Sequence, residues 1–320
     1  MELVKTALEY LGYILIFPGF LFCMMTGLLL TGIDRKIVAR MQKRVGPPIL
    51  QPFYDFFKLC GKETIIPAAA SKTTFLMAPL LGLAALVVLQ MFIPIHGWSA
   101  FSGMADIIVI LYLLLIPAMA TMMGGAASGS PYAGVGLSRE MVTVISCELP
   151  LVLVLLAIGK AVGGASVTFS FSQISNYQLT NGSLILRPSM IPAAIAFLMI
   201  IPGETGNHPF DTAEAETEIC EGLLAEYSGA PLAVYKLSHS IKMFTLTSLF
   251  TALFLGGIGT GIILVDGIIV FALSVVITVL TVSLVHAITA RLKIEQVFKY
   301  YWTVVSGLAL ISVVLAWYGL

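Results

Sequence analysis

The chain has 320 residues, 58% hydrophobic and only 11% charged, with seventeen basic and seventeen acidic side chains that cancel to a formal net charge of zero. A mean hydropathy of +1.00 excludes an ordinary soluble domain and indicates an integral membrane protein. Four scattered cysteines (Cys23, Cys60, Cys147, Cys220) form no C-x-x-C pair and the four histidines show no ligand spacing, so no metal or other cofactor is expected on this chain.

Crossing a bilayer takes about 20 predominantly apolar residues. Eight stretches qualify: Leu11 to Thr31, Thr74 to Ile95, Asp106 to Gly125, Met141 to Lys160, Leu184 to Ile201, Ala230 to Gly256, Ile262 to Ala290 and Val297 to Trp317. The expected fold is all-α, eight transmembrane helices in a single transmembrane domain over 1–320. The first run is long, lacks a small-residue cleavage site and is followed by further spans, so no cleavable signal is expected. The fifth is interrupted by Arg187 and Pro188, and without it every later segment would change sides.

Positive charge supplies an independent test. Loops on one side hold Arg35, Lys36, Arg40, Lys43, Arg44, Lys58, Lys62, Lys72, Arg139, Arg291 and Lys293; the other side has Lys5, Lys160 and Arg187. The positive-inside rule then places both termini outside the cytoplasmic membrane.

After the first span, 34–72 is too basic to cross. Lys36, Arg40, Lys43 and Arg44 fall on one arc of a helix and Ile37, Val38, Met41 and Val45 on another, which describes an interfacial helix. Gly46-Pro47-Pro48 must end it, and a second short helix is expected from Pro52 to Gly61. Such a loop suits lipid anchoring or, given its rigid turn, a docking platform for a soluble partner. The loop from Gly163 to Arg187 carries no recognisable chemistry and reads as a cap over the outer end. No internal repeat supports an inverted-repeat transporter.

The stretch 202–229 is a cytoplasmic acidic segment. Seven of the seventeen carboxylates lie between Ile201 and Lys242. Asp211 followed by Glu214 is a capping-box pattern, so a helix is expected to begin at Asp211. It would group Asp211, Glu214, Glu218, Glu221 and Glu226 on one face and leave Glu216 on the apolar side. This is either a polar surface helix or a path for protons. Glu148 lies eight residues beyond Glu140, about 12 Å further into the bilayer at 1.5 Å per residue, where charge is costly and functional by default. Lys236 and Lys242 in the sixth span could neutralise such carboxylates, giving one coupled titrating set. Asp266 and His286 are read as helix-end residues.

Several motifs then converge. Asp34-Arg35-Lys36, G-P-P-I-L-Q-P-F-Y-D-F-F-K-L-C-G-K-E-T from Gly46, S-R-E-M from Ser138 with Glu148, E-T-G-N-H-P-F-D-T-A-E-A-E-T-E from Glu204 and A-E-Y-S-G from Ala225 resemble the subunit-1/H family of respiratory complex I. That family includes the membrane-anchor (H-like, M-type) component of energy-converting membrane-bound nickel-iron hydrogenases and related archaeal and bacterial reductases.

The resemblance implies a cytoplasmic face seating two peripheral subunits, a small iron-sulfur one (B-like) and a large one (D-like), with iron-sulfur clusters and nickel-iron in those partners. Antiporter-like membrane subunits are further implied partners, beside the lipid bilayer; nucleic acid is not one. Glu204, Asp211, Glu214, Glu216, Glu218 and Glu221 match the family's acidic funnel, and Arg35, Lys36, Gly46, Asp55 and Lys58 its docking loop. From their positions in the chain, Glu140, Glu148, Lys236 and Lys242 are expected to extend the funnel into a proton relay, and Arg40 and Arg44 to join the docking side. Quinone-reducing members tend to have an arginine where Asn207 stands, and an acidic E-Y pair where this chain has Ser238-His239-Ser240-Ile241-Lys242. Those departures favour the hydrogenase-like branch: a non-catalytic anchor and coupling subunit of an oxidoreductase complex, moving protons or sodium. The alternatives are the quinone-binding H component of an NADH-quinone oxidoreductase, a passive membrane anchor, and a stand-alone ion carrier.

Overall fold

A computed structural model describes residues 10–101, 106–164 and 166–319, with the side chains of Glu216 and Thr217 outside the description. Lys5, counted above among the outer charges, also lies outside it. Among the described residues there is no β-strand, only isolated bridges between Ile95 and Trp98 and between Asp106 and Ser170.

Ten helices position the site. A helical stretch at 10–15 breaks at 16–19 and resumes as α1 (Phe20–Met41); α2 is Gln51–Cys60, α3 Lys72–Phe92, α4 Ile107–Ser128, α5 Pro131–Gly163, α6 Phe171–Asn181, α7 Ile191–Glu204 and α8 Gly229–Phe254. The last two, α9 (Ile263–Ile288) and α10 (Ile294–Trp317), each contain a π-helical segment, Val279–Ser283 and Tyr300–Val305. Among the described residues, six helices are long and apolar enough to cross a membrane: Tyr10–Met41, α3, α4, α5, α9 and α10. By length and composition they make this a multi-pass membrane protein.

The remaining apolar stretches differ for physical reasons. The fifth expected span begins as two 3-10 turns, Leu184–Leu186 and Pro188–Met190, before α7, because Pro188 cannot continue a hydrogen-bonded helix. Helix α8 is the axis of the bundle, packing against α1, α2, α3, α7 and α9. It is rich in Ser and Thr and carries Lys236, His239 and Lys242, yet nearly every residue from Ser240 to Phe254 is buried. A helix enclosed by its neighbours meets no lipid, so its polar residues are tolerated where they find partners. Thr245, Thr247 and Thr251 donate to carbonyls one turn back, and Ser248 donates to Gln90 of α3 at 3.2 Å.

Two sequence expectations are overturned. No separate interfacial helix follows the first span: α1 runs unbroken through Lys36 and Arg40 to Met41, since nothing before the left-handed Lys43 (φ 58) interrupts its hydrogen bonding. Nor does a helix begin at Asp211. Residues 205–215 are turns and extended backbone, followed by a single helical turn at Glu216–Ile219. Three successive left-handed residues, Cys220, Glu221 and Gly222, then preclude a right-handed helix across the acidic run.

The basic loop after α1 folds back on it, where Gly32 permits the approach: a Cβ there would overlap the Ile49 carbonyl oxygen. At the opposite end, α6 covers α8. The buried Gln178 side chain donates to the carbonyls of Ala252 (2.9 Å) and Leu253 (3.0 Å) and accepts from the Gly256 N–H at 2.8 Å.

Candidate functional site

Parts of α1, α2, α4, α5, α7, α8 and α9, with Gly82 of α3 and the acidic segment, enclose a cavity of about 770 Å³. Its wall is unusually charged. Carboxylates come from Asp34, Asp55, Glu140, Glu204, Asp211, Glu214 and Glu221, and positive groups from Arg35, Lys58, Lys62, Lys236 and Lys242.

The innermost contact is between Lys242 Nζ and Glu204 Oε2, 3.2 Å apart, with side chains 10% and 7% exposed. Pro202 and the end of α7 place Glu204 at a helix C-terminus, an unfavourable site for a carboxylate; Lys242, about halfway along α8, supplies the compensating charge. Glu140 on α5 lines the same cavity.

The acidic segment closes the outer rim. Arg291, from the link between α9 and α10, grips Asp211 Oδ2 through Nε at 3.0 Å and a terminal nitrogen at 2.8 Å. The Asp211 carboxylate therefore ties two distant segments together instead of capping a helix. Glu214 is open to the cavity but walled by protein. Burial, and then the negative charges of Glu140, Glu221 and Asp211, push its carboxyl up to about 7, with Lys236 pulling the other way. Glu218 stands apart on the exterior, hydrogen-bonded to Arg139 at 2.6 Å, and that bond holds it below the usual carboxylate range.

Glu148 is not on the cavity wall. It lies half-buried beside a separate pocket of about 10 Å³ that it shares with Glu204, and the partner of Lys242 is Glu204. Of the residues expected to form a docking loop, Arg35 pairs with Asp55 at 3.3 Å, and Gln51 holds the other oxygen of Asp55 at 2.8 Å. Both members of that pair and Lys58 line the cavity mouth. Arg40 and Arg44 are exposed, Arg44 contacting Gln42, and Lys36 is half-buried. Gly46 packs against Ala39.

Four cavity residues are not among the expected site residues, and one of them, His286, is expected only as a helix-end residue. Asp34 accepts a hydrogen bond from Ser283 at 2.6 Å, presented by the π-helical segment of α9. An acidic residue at the foot of an apolar span was a usable signal, the same one that singled out Glu148. His208, His239 and His286 also line the cavity. The rings of His208 and His286 stack with centroids 4.9 Å apart, and burial, opposed by Asp211, lowers the titration of His208. No local pattern betrays them, because they come from three separate segments. Asp266, by contrast, belongs to the far end, where its carboxylate accepts from the N–H groups of Thr260 (2.6 Å) and Gly261 (3.1 Å).

Among the described residues no group of three or more His, Cys, Asp or Glu is placed to hold a metal ion. What the arrangement offers is a set of interacting carboxylates and lysines around water-accessible space, suited to holding and passing protons.

Known proteins share this architecture. The sequence profile of the NADH dehydrogenase family matches residues 14–317. Hydrogenase-4 component C of Escherichia coli (strain K12) is 38% identical over 248 residues, 76% of each chain. The H component of the NADH-quinone oxidoreductase of Thermomicrobium roseum is 34% identical over 304 residues, covering 89% of this chain and 88% of that one. A chain in the structure of the membrane-bound sulfane sulfur reductase, an archaeal respiratory membrane complex, superposes with a TM-score of 0.84 at 29% identity, over 92% of this chain and 96% of its own.

Proposed function

Starting from the fact that the chain belongs to the NADH dehydrogenase family, as an H-type membrane component of a complex I-like assembly, we propose that it anchors a peripheral redox module and couples its electron transfer to ion movement. It crosses the membrane eight times, α7 and α8 completing the set, with both termini outside the cytoplasmic membrane and the cavity facing the cytoplasm. The chain carries no redox centre of its own. Small and large peripheral partners, B-like and D-like, supply the iron-sulfur clusters and nickel-iron, and antiporter-like membrane partners carry the ions onward. Arg35, Lys36, Arg40, Arg44, Gly46, Asp55 and Lys58 form the docking side, beside the cavity mouth.

The observation that carries this reading is the cavity itself. Its carboxylates surround a buried ion pair and end at the surface where the docking loop lies. An electron arriving near that surface adds negative charge, which favours the protonated form of nearby carboxyls. Glu214, already balanced at about 7, is the group best placed to respond. From there Glu140, Glu204, Lys236 and Lys242 form the inward part of the relay. Asp211 and Glu221 belong to its entrance, with Glu216 and Glu218 as outer members and Glu148 as the next station in the membrane.

The hydrogenase-like or sulfur-reductase-like branch is preferred because Asn207 is neutral. It donates to Thr205 Oγ1 at 2.8 Å and lies 3.8 Å from the Met243 sulfur, and so offers no charge to a headgroup. A volume of about 770 Å³ is, however, within the roughly 300–1,000 Å³ range of small-molecule sites. This favours, as a second reading, the quinone-binding H component of an NADH-quinone oxidoreductase.

Purification with its partners tests the assignment through their identity and iron content. In liposomes containing that complex, Glu148→Gln and Glu214→Gln retain assembly and electron transfer but lose ion transport. Normal transport by both would leave only a passive anchor, and turnover abolished by a quinone-headgroup inhibitor would select the second reading.

A further inference from the structure

Two cavities of very different size meet at Glu204 and Ala118. The large polar one ends there, and on the other side lies the pocket of about 10 Å³, otherwise walled by Leu111, Leu114, Leu115, Val144 and Leu151, with Glu148 at its edge. A buried water needs roughly 10–15 Å³ of such space and two to four polar partners. The pocket is at the bottom of that range, and the only polar side chains on its wall are the two carboxylates. It therefore has room for one water bridging Glu204 and Glu148, and for nothing larger.

Ala118 and Leu114 set that width. They lie four residues apart on α4 and so share one face, with Pro117 between them inside the continuous helix, and they are 4% and 2% exposed. A longer side chain at 118 would fill the space, and a shorter one at 114 would enlarge it by several methyl-sized volumes.

We propose that this single-water gap is the narrowest point of the proton path through the protein, and that Ala118 and Leu114 are positioning residues that set its width. The inference rests on the relay reading above. In the transfer, protonated Glu204 gives its proton to the bridging water, and the water passes one of its own to the Glu148 carboxylate. Glu204 is left ionised beside Lys242, 3.2 Å away, which stabilises the charge created there. One O–H bond breaks at Glu204, one forms at Glu148, and the water is regenerated. Because the walls of the gap are leucine and valine, the path conducts only while the water is present. This prevents the large cavity from short-circuiting the membrane.

The test uses the intact complex in liposomes, with internal pH and electron transfer followed in parallel. Ala118→Leu is expected to preserve the composition of the complex and its electron transfer while proton transport falls by an order of magnitude or more. Should that variant lose its partners, Ala118→Val is judged by the same criterion. Leu114→Ala is expected to speed the decay of an imposed pH gradient in resting vesicles severalfold, a change that mere loss of packing at one leucine would not produce. Unchanged transport in the filled variant, or an unchanged resting leak in the enlarged one, overturns the proposal. Glu148→Gln and Glu214→Gln together separate the two levels: if both transport normally, the relay reading itself has failed. If Glu214→Gln is inactive while Glu148→Gln or the filled variant pumps normally, only the gap is refuted.

Discussion

Deleting the positive end of the Lys242–Glu204 pair perturbs the centre of the site. At the observed 3.2 Å and an effective dielectric of about 20, two unit charges attract by roughly 5 kcal/mol. Desolvation opposes this, and removing one partner of a buried pair typically costs about 3–5 kcal/mol, because the other charge is left alone. Both groups line a cavity of about 770 Å³ and are only partly shielded from solvent, which puts Lys242→Met near the lower limit, about 3 kcal/mol. At roughly 2 °C per kcal/mol for a chain of this size, Tm should fall by about 6 °C. Trp98, Trp302 and Trp317 allow melting of the detergent-solubilised protein to be followed by fluorescence. Glu204→Gln should cost a comparable amount, and the double variant Glu204→Gln/Lys242→Met should lose less than the sum of the two, with a coupling of about 2 kcal/mol. Strict additivity would mean that the two charges do not interact, and the description of the site would be wrong.

Glu214 predicts a pH dependence. Its folded value of about 7 exceeds the ordinary 4.5, so its contribution to stability is fully present below about 4.5 and is lost as the pH rises through about 7. Glu214→Gln should flatten this part of the Tm-versus-pH curve. Above neutrality it should be the more stable protein by on the order of 1 kcal/mol, discounted because the side chain touches cavity water. Gly32→Ala should push the Ile49 backbone off α1 at a cost of roughly 1–3 kcal/mol, seen as faster hydrogen exchange across α2; unchanged exchange would argue against that close approach. Gln178→Leu forfeits three hydrogen bonds at the end of α8 and should cost about 1–3 kcal/mol, a fall in Tm that leaves ion transport per assembled complex unchanged.

Composition along the chain was enough to place nearly every long helix, because a segment facing lipid must be apolar and must satisfy its own backbone. These are local requirements. Helix α2 starts at Gln51 where Pro52 was expected and ends at Cys60 where Gly61 was expected, close enough because Gly46-Pro47-Pro48 and Gly61 act within their own neighbourhood. Helix α8 shows where hydropathy loses force. It is the most enclosed of the described helices, yet its serines, threonines and lysines keep it out of the six that are long and apolar enough to cross a membrane. The Asp211 helix was expected because a capping pattern is a statement about four neighbouring residues, whereas Arg291, eighty positions away, decided what that carboxylate does.

The sequence by itself determined that this is a helical membrane protein with a basic loop and an acidic segment flanking apolar stretches, since hydrophobic burial and the cost of charge in lipid act on each segment alone. Which charges meet follows from how the helices pack in three dimensions. Glu204, not Glu148, received Lys242, and three histidines joined the same cavity as Asp34. Electrostatic partnership depends on a few ångströms of separation between helices whose order along the chain says nothing about that distance.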